Sequence, residues 1–240
     1  MIMPDKKNTD ILLIIPAYNE EGNISRVVDN LISNYKDLDY VVVNDGSRDN
    51  TAKICYEKSY NILDLPINLG LAGAFQAGMK YAYKYNYKYA IQFDGDGQHR
   101  AEYAYALKDK LEEGYDIVIA SRFLENKKSF KLRMLGSRII SFAIFLTTGT
   151  KISDPTSGMR IYNRKSIEEF ALNLNYAPEP DTISYLLKQG MKLAEIPAIM
   201  DERVSGTSYL SPIKAGIYML RMLVSILFIQ NFRKRESRYK

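Results

Sequence analysis

Cysteine and histidine are nearly absent from this sequence: Cys55 and His99 are the single residues of each kind in 240. A lone cysteine excludes an intramolecular disulfide framework and is compatible with a reducing compartment. A lone histidine just after a turn reads as a structural residue, or one that shapes its loop, rather than as a general base. No secretory signal is expected, because Met1 to Asp10 is polar and Ile11 to Ile15 is too short for an apolar signal core. There is no linker rich in proline or serine and no long-period repeat, so the length reads as one large α/β domain, or one domain with an appendage. Excess charge is also scarce outside one place. The net charge is +5, but Phe232 to Lys240 holds five basic residues and one glutamate, and so supplies +4 of it. A near-neutral body argues against a broad nucleic-acid-binding face. The interleaved lysines and tyrosines of Lys80 to Tyr89 read as solvated surface for the same reason.

What is present is a regular alternation. Ile11 to Ile15 is a continuous apolar run stopped by Pro16, which predicts a buried strand. Ile24, Val27, Val28, Leu31 and Ile32 follow at helical spacing, with Asn19 or Asn23 available as the cap. Tyr40 to Val43 predicts a second strand, Thr51 to Lys58 a helix and Ile62 to Leu65 a third strand. The small residues Ala72, Ala74, Ala77, Gly78 and Ala82 predict a helix packed closely on the sheet. Tyr89 to Phe93, Glu102 to Glu112 and Asp116 to Ala120 continue as strand, helix and strand. Such alternation predicts a parallel sheet covered on both faces, which binds ligands beyond the carboxyl ends of its strands. Four polar clusters fall at such ends: Tyr18-Asn19-Glu20, Asn44-Asp45-Gly46, Asp94-Gly95-Asp96 and Ser121-Arg122.

The third cluster carries the most chemistry. Asp94 and Asp96, one residue apart after a strand, place two carboxylates on the same side, and the glycines beside them let a bulky ligand approach. Two hard anionic donors and the amide oxygen of Gln98 suit Mg²⁺ or Mn²⁺ with a diphosphate filling the remaining positions. The competing account is an ordinary Asp-Gly turn.

Pro16-Ala17-Tyr18-Asn19-Glu20, Asn44-Asp45-Gly46-Ser47-x-Asp49-x-Thr51, Asn68-x-Gly70 and Asp94-Gly95-Asp96-Gly97-Gln98-His99 together resemble, in order, the motifs of family 2 glycosyltransferases. The resemblance runs from about Asp10 to Ser208 and is nearest to the branch that makes dolichyl- and polyprenyl-phosphate sugars. It implies an inverting enzyme of the GT-A fold: a Rossmann-like, mostly parallel sheet with helices on both faces. It further implies a nucleotide-diphosphate sugar, UDP- or GDP-linked, as donor, with Mn²⁺ or Mg²⁺ as cofactor. Pro16, Tyr18, Glu20, Asn68 and Gly70 would border the donor, and Asp45 would accept a hydrogen bond from the base. Asn44 departs from the family's usual acidic residue at that position. Asp94 would reach the ribose or the metal, with Asp96 and Gln98 as metal ligands. Ser121-Arg122 and Arg133-x-x-x-Ser137 resemble phosphate-binding residues on the acceptor side, where the guanidinium fork suits a phosphate. Asp154-Pro155-Thr156-Ser157-Gly158-Met159-Arg160 resembles a loop that closes that side. Glu179-Pro180-Asp181 stands where many relatives carry an acidic residue at the start of a helix; Asp181 would serve as base if the acceptor is a hydroxyl, and is equally a helix N-cap for Thr182 to Gln189. Arg203-x-x-Gly206-x-Ser208 resembles a final motif whose arginine reaches the diphosphate.

Residues 1–210 thus read as the catalytic domain and 211–240 as a C-terminal amphipathic helix with a basic end. Ile213, Ile217, Leu220, Leu223, Val224, Leu227 and Phe228 recur at helical spacing, but the stretch is short for a span and Arg221 is central. With Arg233-Lys234-Arg235 behind it, the helix reads as lying on an anionic membrane surface. The other reading packs it on its own domain or on a second copy in a homo-oligomer. The expectation from all this is a metal-dependent transferase at the cytoplasmic face of the plasma membrane. It would move a sugar to a polyprenyl phosphate or lipid-linked glycan in cell-envelope assembly, and no nucleic acid is expected as partner. Transfer to a hydroxyl of a non-lipid polysaccharide is the nearest alternative. A nucleotidyltransferase would ordinarily show a glycine-rich loop after the first strand, whereas here glycine waits until Gly22. A non-catalytic nucleotide-sugar-binding subunit would have no use for Asp94, Asp96, Gln98 and Arg203 together.

Overall fold

In the computed structural model, residues 9–95, 97–124, 132–173, 176–200 and 212–232 are described. The chain begins with β1 (Ile11–Ala17), α1 (Ile24–Asn34), β2 (Asp39–Asn44), α2 (Thr51–Glu57) and β3 (Ile62–Asp64). It continues through α3 (Gly70–Lys84), β4 (Tyr89–Gln92), α4 (Tyr103–Glu112), β5 (Ile117–Ser121) and α5 (Leu132–Thr148). Then come β6 (Arg160–Tyr162), α6 (Arg164–Leu172), α7 (Pro180–Lys188), β7 (Leu193–Pro197) and α8 (Pro212–Val224). A π-helical segment, Ser225–Ile229, extends α8 into a last turn at Gln230–Phe232.

The strands form one seven-stranded sheet in the order β3-β2-β1-β4-β6-β5-β7. β1 lies in its interior, parallel to β2 and β4, and its apolar run is buried because both faces are covered. Alternate residues divide between two cores. Leu12 and Ile14 face α3, α5, α6, α7 and the C-terminal helix, while Leu13 and Ile15 face α1, α2 and α4. The small residues of α3 have the expected purpose: a Cβ on Gly78 would stand 2.3 Å from Ile14 Cγ2. Beside that contact Phe75, Tyr162 and Phe170 pack with ring centroids 5.2–5.6 Å apart.

The alternation through residue 120 predicts strands β1 to β5 to within a residue or two at each boundary, but not β7, which runs parallel to β5 at the sheet's edge. It does not predict β6, which runs antiparallel between β4 and β5, pairing Gln92 with Arg160 and Ile119 with Arg160. Three residues are too few to show a period, so the strand stays hidden inside what reads as a loop. Three further expectations are corrected. Ile32 is 46% exposed rather than on the buried face of α1. Neither Asn19 nor Asn23 caps α1 with its side chain: Asn19 sits at φ 57°, and Asn23, at the cap position, gives its amide to Glu20 instead. The lysine–tyrosine stretch is not simply solvated, since Tyr81 and Tyr87 are core residues and Tyr87 donates to buried Asp39.

Candidate active site

The loops after β1 and β2 are fastened to each other by their own polar residues. Asn19 N–H donates to Ser47 Oγ at 3.0 Å, Arg48 N–H to Asn19 Oδ1 at 2.9 Å, and Glu20 N–H to Thr51 Oγ1 at 2.8 Å. Asp49 receives Glu21 N–H on one oxygen and both the N–H and the hydroxyl of Thr51 on the other, and these bonds hold its carboxyl below the usual range against the opposing effect of burial. Asn44 bridges Asp64 and Ser47, a neutral task an acidic residue beside Asp64 would do less well. Asp45, 3% exposed, accepts Leu69 N–H at 2.7 Å and so ties the second loop to the third. Gly46 at that junction has φ +62°, and a Cβ there would stand 2.6 Å from Asn68 N. Asn68 in turn accepts Gly70 N–H at the start of α3.

Next along the edge is the loop after β4. Asp94 N–H donates to His99 Nδ1 at 2.9 Å, and His99 Nε2 lies 3.4 Å from Asp94 Oδ2. His99 is thus buried behind Asp94, in edge contact with Phe93, and fixes where the carboxylate points. Gly158 leaves room for it: a Cβ at 158 would lie 2.7 Å from Asp94 Oδ2. This loop also meets the first one, since a Cβ at Gly95 would be 3.3 Å from Pro16 O.

A cavity of about 270 Å³ opens beyond this loop, lined by Gln92, Asp94, Gln98 and His99. Arg122, Thr156, Gly158, Arg160, Glu179 and Tyr218 complete its lining. The Arg122 and Arg160 part of the lining is built on ion pairing and long-range bonds. Arg122 grips Asp154 through Nε–Oδ2 at 2.7 Å and Nη2–Oδ1 at 2.8 Å. Burial pushes the Asp154 carboxyl up, but the guanidinium outweighs it and holds the group below its usual range. Glu195 of β7 accepts the N–H groups of Ser153 and Asp154, anchoring this loop from behind. Arg160, 1% exposed, donates to the carbonyls of Pro155 and Pro178 and so joins the loop to the start of α7. Gln92 Oε1 and Arg160 Nε, neighbours across the β4–β6 ladder, have no hydrogen-bond partner among the described residues. A buried acceptor and a buried donor side by side suit a hydroxyl, which can serve both. Glu179 faces the same cavity, and burial, with the nearby charge of Asp181, raises its carboxyl above the usual range.

The sequence profile described as Glycosyl transferase family 2 matches residues 12–170. The chain belongs to this family. This family 2 glycosyltransferase is 32% identical over 214 residues to a UDP-N-acetylglucosamine–dolichyl-phosphate N-acetylglucosaminyltransferase of Methanococcus voltae, covering 78% of this chain and 84% of the relative. It is 27% identical over 214 residues to a polyprenol monophosphomannose synthase of Mycolicibacterium smegmatis, covering 83% of this chain and 80% of the relative. Its fold matches that of glucosyl-3-phosphoglycerate synthase from Mycobacterium tuberculosis, solved with Mn²⁺, uridine diphosphate and phosphoglyceric acid. The TM-score is 0.65 and the identity 16%, over 92% of this chain and 78% of that one.

The glycosyltransferase brings together only some of the residues singled out in the sequence. Asp94, Gln98 and Arg122 line the cavity, while Tyr18, Glu20, Asp45 and Asn68 belong to the loops beside it, Pro16 to the end of β1 and Gly70 to the start of α3. Asp96 and Arg203 lie outside the described residues. Arg133 is in the first turn of α5, with its side chain outside the described set, and Ser137 is buried in the same helix away from the cavity lining. Asp181 does not cap α7: Glu179 is at the N-cap and Pro180 begins the helix. The Asp181 carboxylate turns instead toward Ser225 of the C-terminal segment. Sequence reasoning missed Arg160, Gln92 and Tyr218. Only Arg160 carried a signal, as the charged last residue of the 154–160 motif.

Among the described residues no cluster of three or more acidic, histidine or cysteine side chains forms a ready metal cage. The donor set nevertheless fits a hard cation. Asp94 is held by His99 with its carboxylate 36% exposed at the cavity, and the amide of Gln98 lines the same space.

Proposed function

We propose that this glycosyltransferase moves a sugar from a UDP- or GDP-linked donor to a polyprenyl phosphate in envelope glycoconjugate assembly. The observation that carries the reading is one cavity lined by Asp94 and Gln98 together with two cations, the half-buried Arg122 and the buried Arg160. Relatives named for transfer to dolichyl phosphate and for polyprenol monophosphomannose synthesis support it. So do folds of this kind solved with uridine diphosphate and Mn²⁺, and with GDP-mannose and Mn²⁺. Pro16, Tyr18, Glu20, Asp45, Asn68 and Gly70 hold the nucleotide. Asp94, Asp96 and Gln98 hold Mn²⁺ or Mg²⁺, which when bound neutralises the departing diphosphate. Arg203 reaches that diphosphate, and Arg122 and Arg133 bind the acceptor phosphate, with Ser137 too deeply buried to join them. An acceptor phosphate oxygen attacks the sugar C1 from the side opposite the leaving group. The C1–O bond breaks, its electron pair stays with the nucleoside diphosphate, and the anomeric configuration inverts. A phosphate nucleophile is already an anion and needs no base.

The second reading, transfer to a hydroxyl of a lipid-linked glycan or polysaccharide, is favoured by one observation. Glu179 faces the cavity with a raised pKa, suited to accepting a proton there. On that reading Glu179 takes the role that the motif suggests for Asp181.

We further place residues 1–210 as the catalytic unit and 211–240 as its contact with an anionic bilayer on the inner face of the plasma membrane. Among the described residues no helix is long and apolar enough to cross a membrane. Support for surface binding comes from exposed apolar residues on two helices that touch: Phe142 and Leu146 of α5, and Ile217, Leu220 and Phe228 of the C-terminal segment, each 59–65% exposed. Transfer by wild type and Glu179→Gln to polyprenyl phosphate and to a lipid-linked glycan tests the choice of acceptor. The expected result is transfer to polyprenyl phosphate that survives the substitution. A loss of about 10²–10⁴-fold in Glu179→Gln, with the glycan as the only acceptor, gives the second reading.

A further inference from the structure

The C-terminal segment does more than cover a hydrophobic face. Met222 and Ile226 enter the core, and Met219 packs against Gly136 of α5, where a Cβ would stand 3.0 Å from the methionine sulfur. From this helix Tyr218 reaches the cavity wall, and Arg221 lies close enough to Glu179 to oppose the rise in its pKa. One turn beyond Arg221 the helix changes to π geometry over Ser225–Ile229, with Gln230 N–H bonded to Ser225 O. At 3.6 residues per turn, residues five apart point about 140° away from each other. The π segment instead turns both Ser225 and Gln230 inward, where they are 6% and 5% exposed. Gln230 Nε2 donates to Ser225 Oγ at 3.2 Å, and Ser225 Oγ donates to Asp181 Oδ2 at 2.7 Å. The other Asp181 oxygen accepts Thr182 N–H at 2.8 Å. Asp181 is 9% exposed and lies two residues from Glu179. Its carboxylate at the start of α7 is favourably placed for the helix dipole.

We infer that Asp181 and Ser225 form a positioning pair that locks the C-terminal helix to the start of α7, and so fixes Tyr218 against the acceptor side of the cavity. The inference rests on the reading of that cavity as the acceptor site. Neither member of the pair touches the reacting atoms. Their effect passes through Tyr218 and the start of α7, which form the acceptor wall, and not through the loops after β1 and β2, which hold the donor. The substitution should therefore separate acceptor binding from donor binding.

The test is steady-state transfer and donor titration with Mn²⁺ for Ser225→Ala, Asp181→Asn, their double variant and the conservative Ser225→Thr. The expected result for each single variant is an acceptor KM raised about 10-fold with nucleotide affinity unchanged. The double variant should be no worse than the weaker single, because the two residues act as one unit. Ser225→Thr keeps the hydroxyl and should restore the KM, which also separates the hydrogen bond from general loss of fold. An unchanged acceptor KM in Ser225→Ala, or an equal loss of donor and acceptor affinity that Thr does not rescue, overturns the pair. If wild type proves to use a hydroxyl acceptor, the phosphate reading fails while the same comparison, made on that acceptor, still decides the pair.

Discussion

The two walls of the active site are held in different ways. The segments proposed to hold the donor, 16–20, 44–51 and 65–70, are joined by hydrogen bonds between short polar side chains and backbone N–H groups, such as Ser47 with Asn19 and Asp45 with Leu69. Most partners there are less than about thirty residues apart, and no buried ion pair is involved among the described residues. The acceptor wall draws on β5, the 154–160 loop, β7, the start of α7 and the C-terminal helix. It is held by a guanidinium–carboxylate pair whose carboxylate, Asp154, is fully buried, by Arg160 bridging two loops, and by the contact of Asp181 with Ser225. Many small bonds, most of them from backbone N–H groups, make a scaffold that tolerates the loss of any one. A few charged, buried contacts make a wall in which single losses are severe.

The largest effect is expected where the walls meet. Asp94→Asn should lower transfer about 10²–10³-fold at saturating Mn²⁺, since it removes an anionic oxygen aimed at the cavity by His99. Turnover within a few-fold of wild type would take Asp94 out of the shared centre. On the acceptor wall alone, Arg122→Ala leaves Asp154 buried without its cation. It should cost about 2–4 kcal/mol of stability, less than a fully enclosed pair because Arg122 is itself about one-third exposed. Its pH dependence has a definite sign. The folded Asp154 carboxyl lies below the ordinary aspartate value of 3.8, so the pair's stabilisation is complete above that pH and is lost as pH falls through the lower folded value. Denaturation midpoints from pH 7 down to 2 should therefore separate wild type from Arg122→Ala near neutrality and converge in strong acid.

Gly158→Ala sharpens the contrast further, because its methyl would press on both Asp94 and His99. Transfer should fall about 10-fold with the fold retained, as expected when a reacting group is displaced by a fraction of an ångström. The smallest effect belongs to the donor wall. Ser47→Ala removes one bond to Asn19 and one to Asn44, and should cost only about 0.5–1.5 kcal/mol in a thermal melt. A Ser47→Ala loss as large as that of Arg122→Ala would erase the distinction between the walls.

The same division decides what could be read from the sequence. The central strands show themselves as apolar runs and the donor loops as polar clusters behind them, since both are local patterns with local causes. Four such clusters at strand ends were enough to locate the edge that binds ligands. The acceptor wall has no comparable local pattern. β6 is three residues long, and its antiparallel course is fixed by β4 and β5, some forty to seventy residues away. The choice between Glu179 and Asp181 depends on the rotation of α7 about its axis, which Pro180 at its first position and the packing of the C-terminal helix determine. Periodicity identified the apolar residues of that helix, but only the fold shows that one side enters the core while Ile217, Leu220 and Phe228 stay outside.

The central claim is that sugar alone, without its phosphate, passes to a polyprenyl phosphate across this cavity. A donor carrying tritium in the sugar and radiophosphorus in the β-phosphate tests it directly, with polyprenyl phosphate and Mn²⁺ present. The account predicts tritium in the lipid product, linked with inverted anomeric configuration, and all radiophosphorus in released nucleoside diphosphate. Radiophosphorus travelling with the sugar, or tritium appearing only in a glycan hydroxyl product, would contradict it.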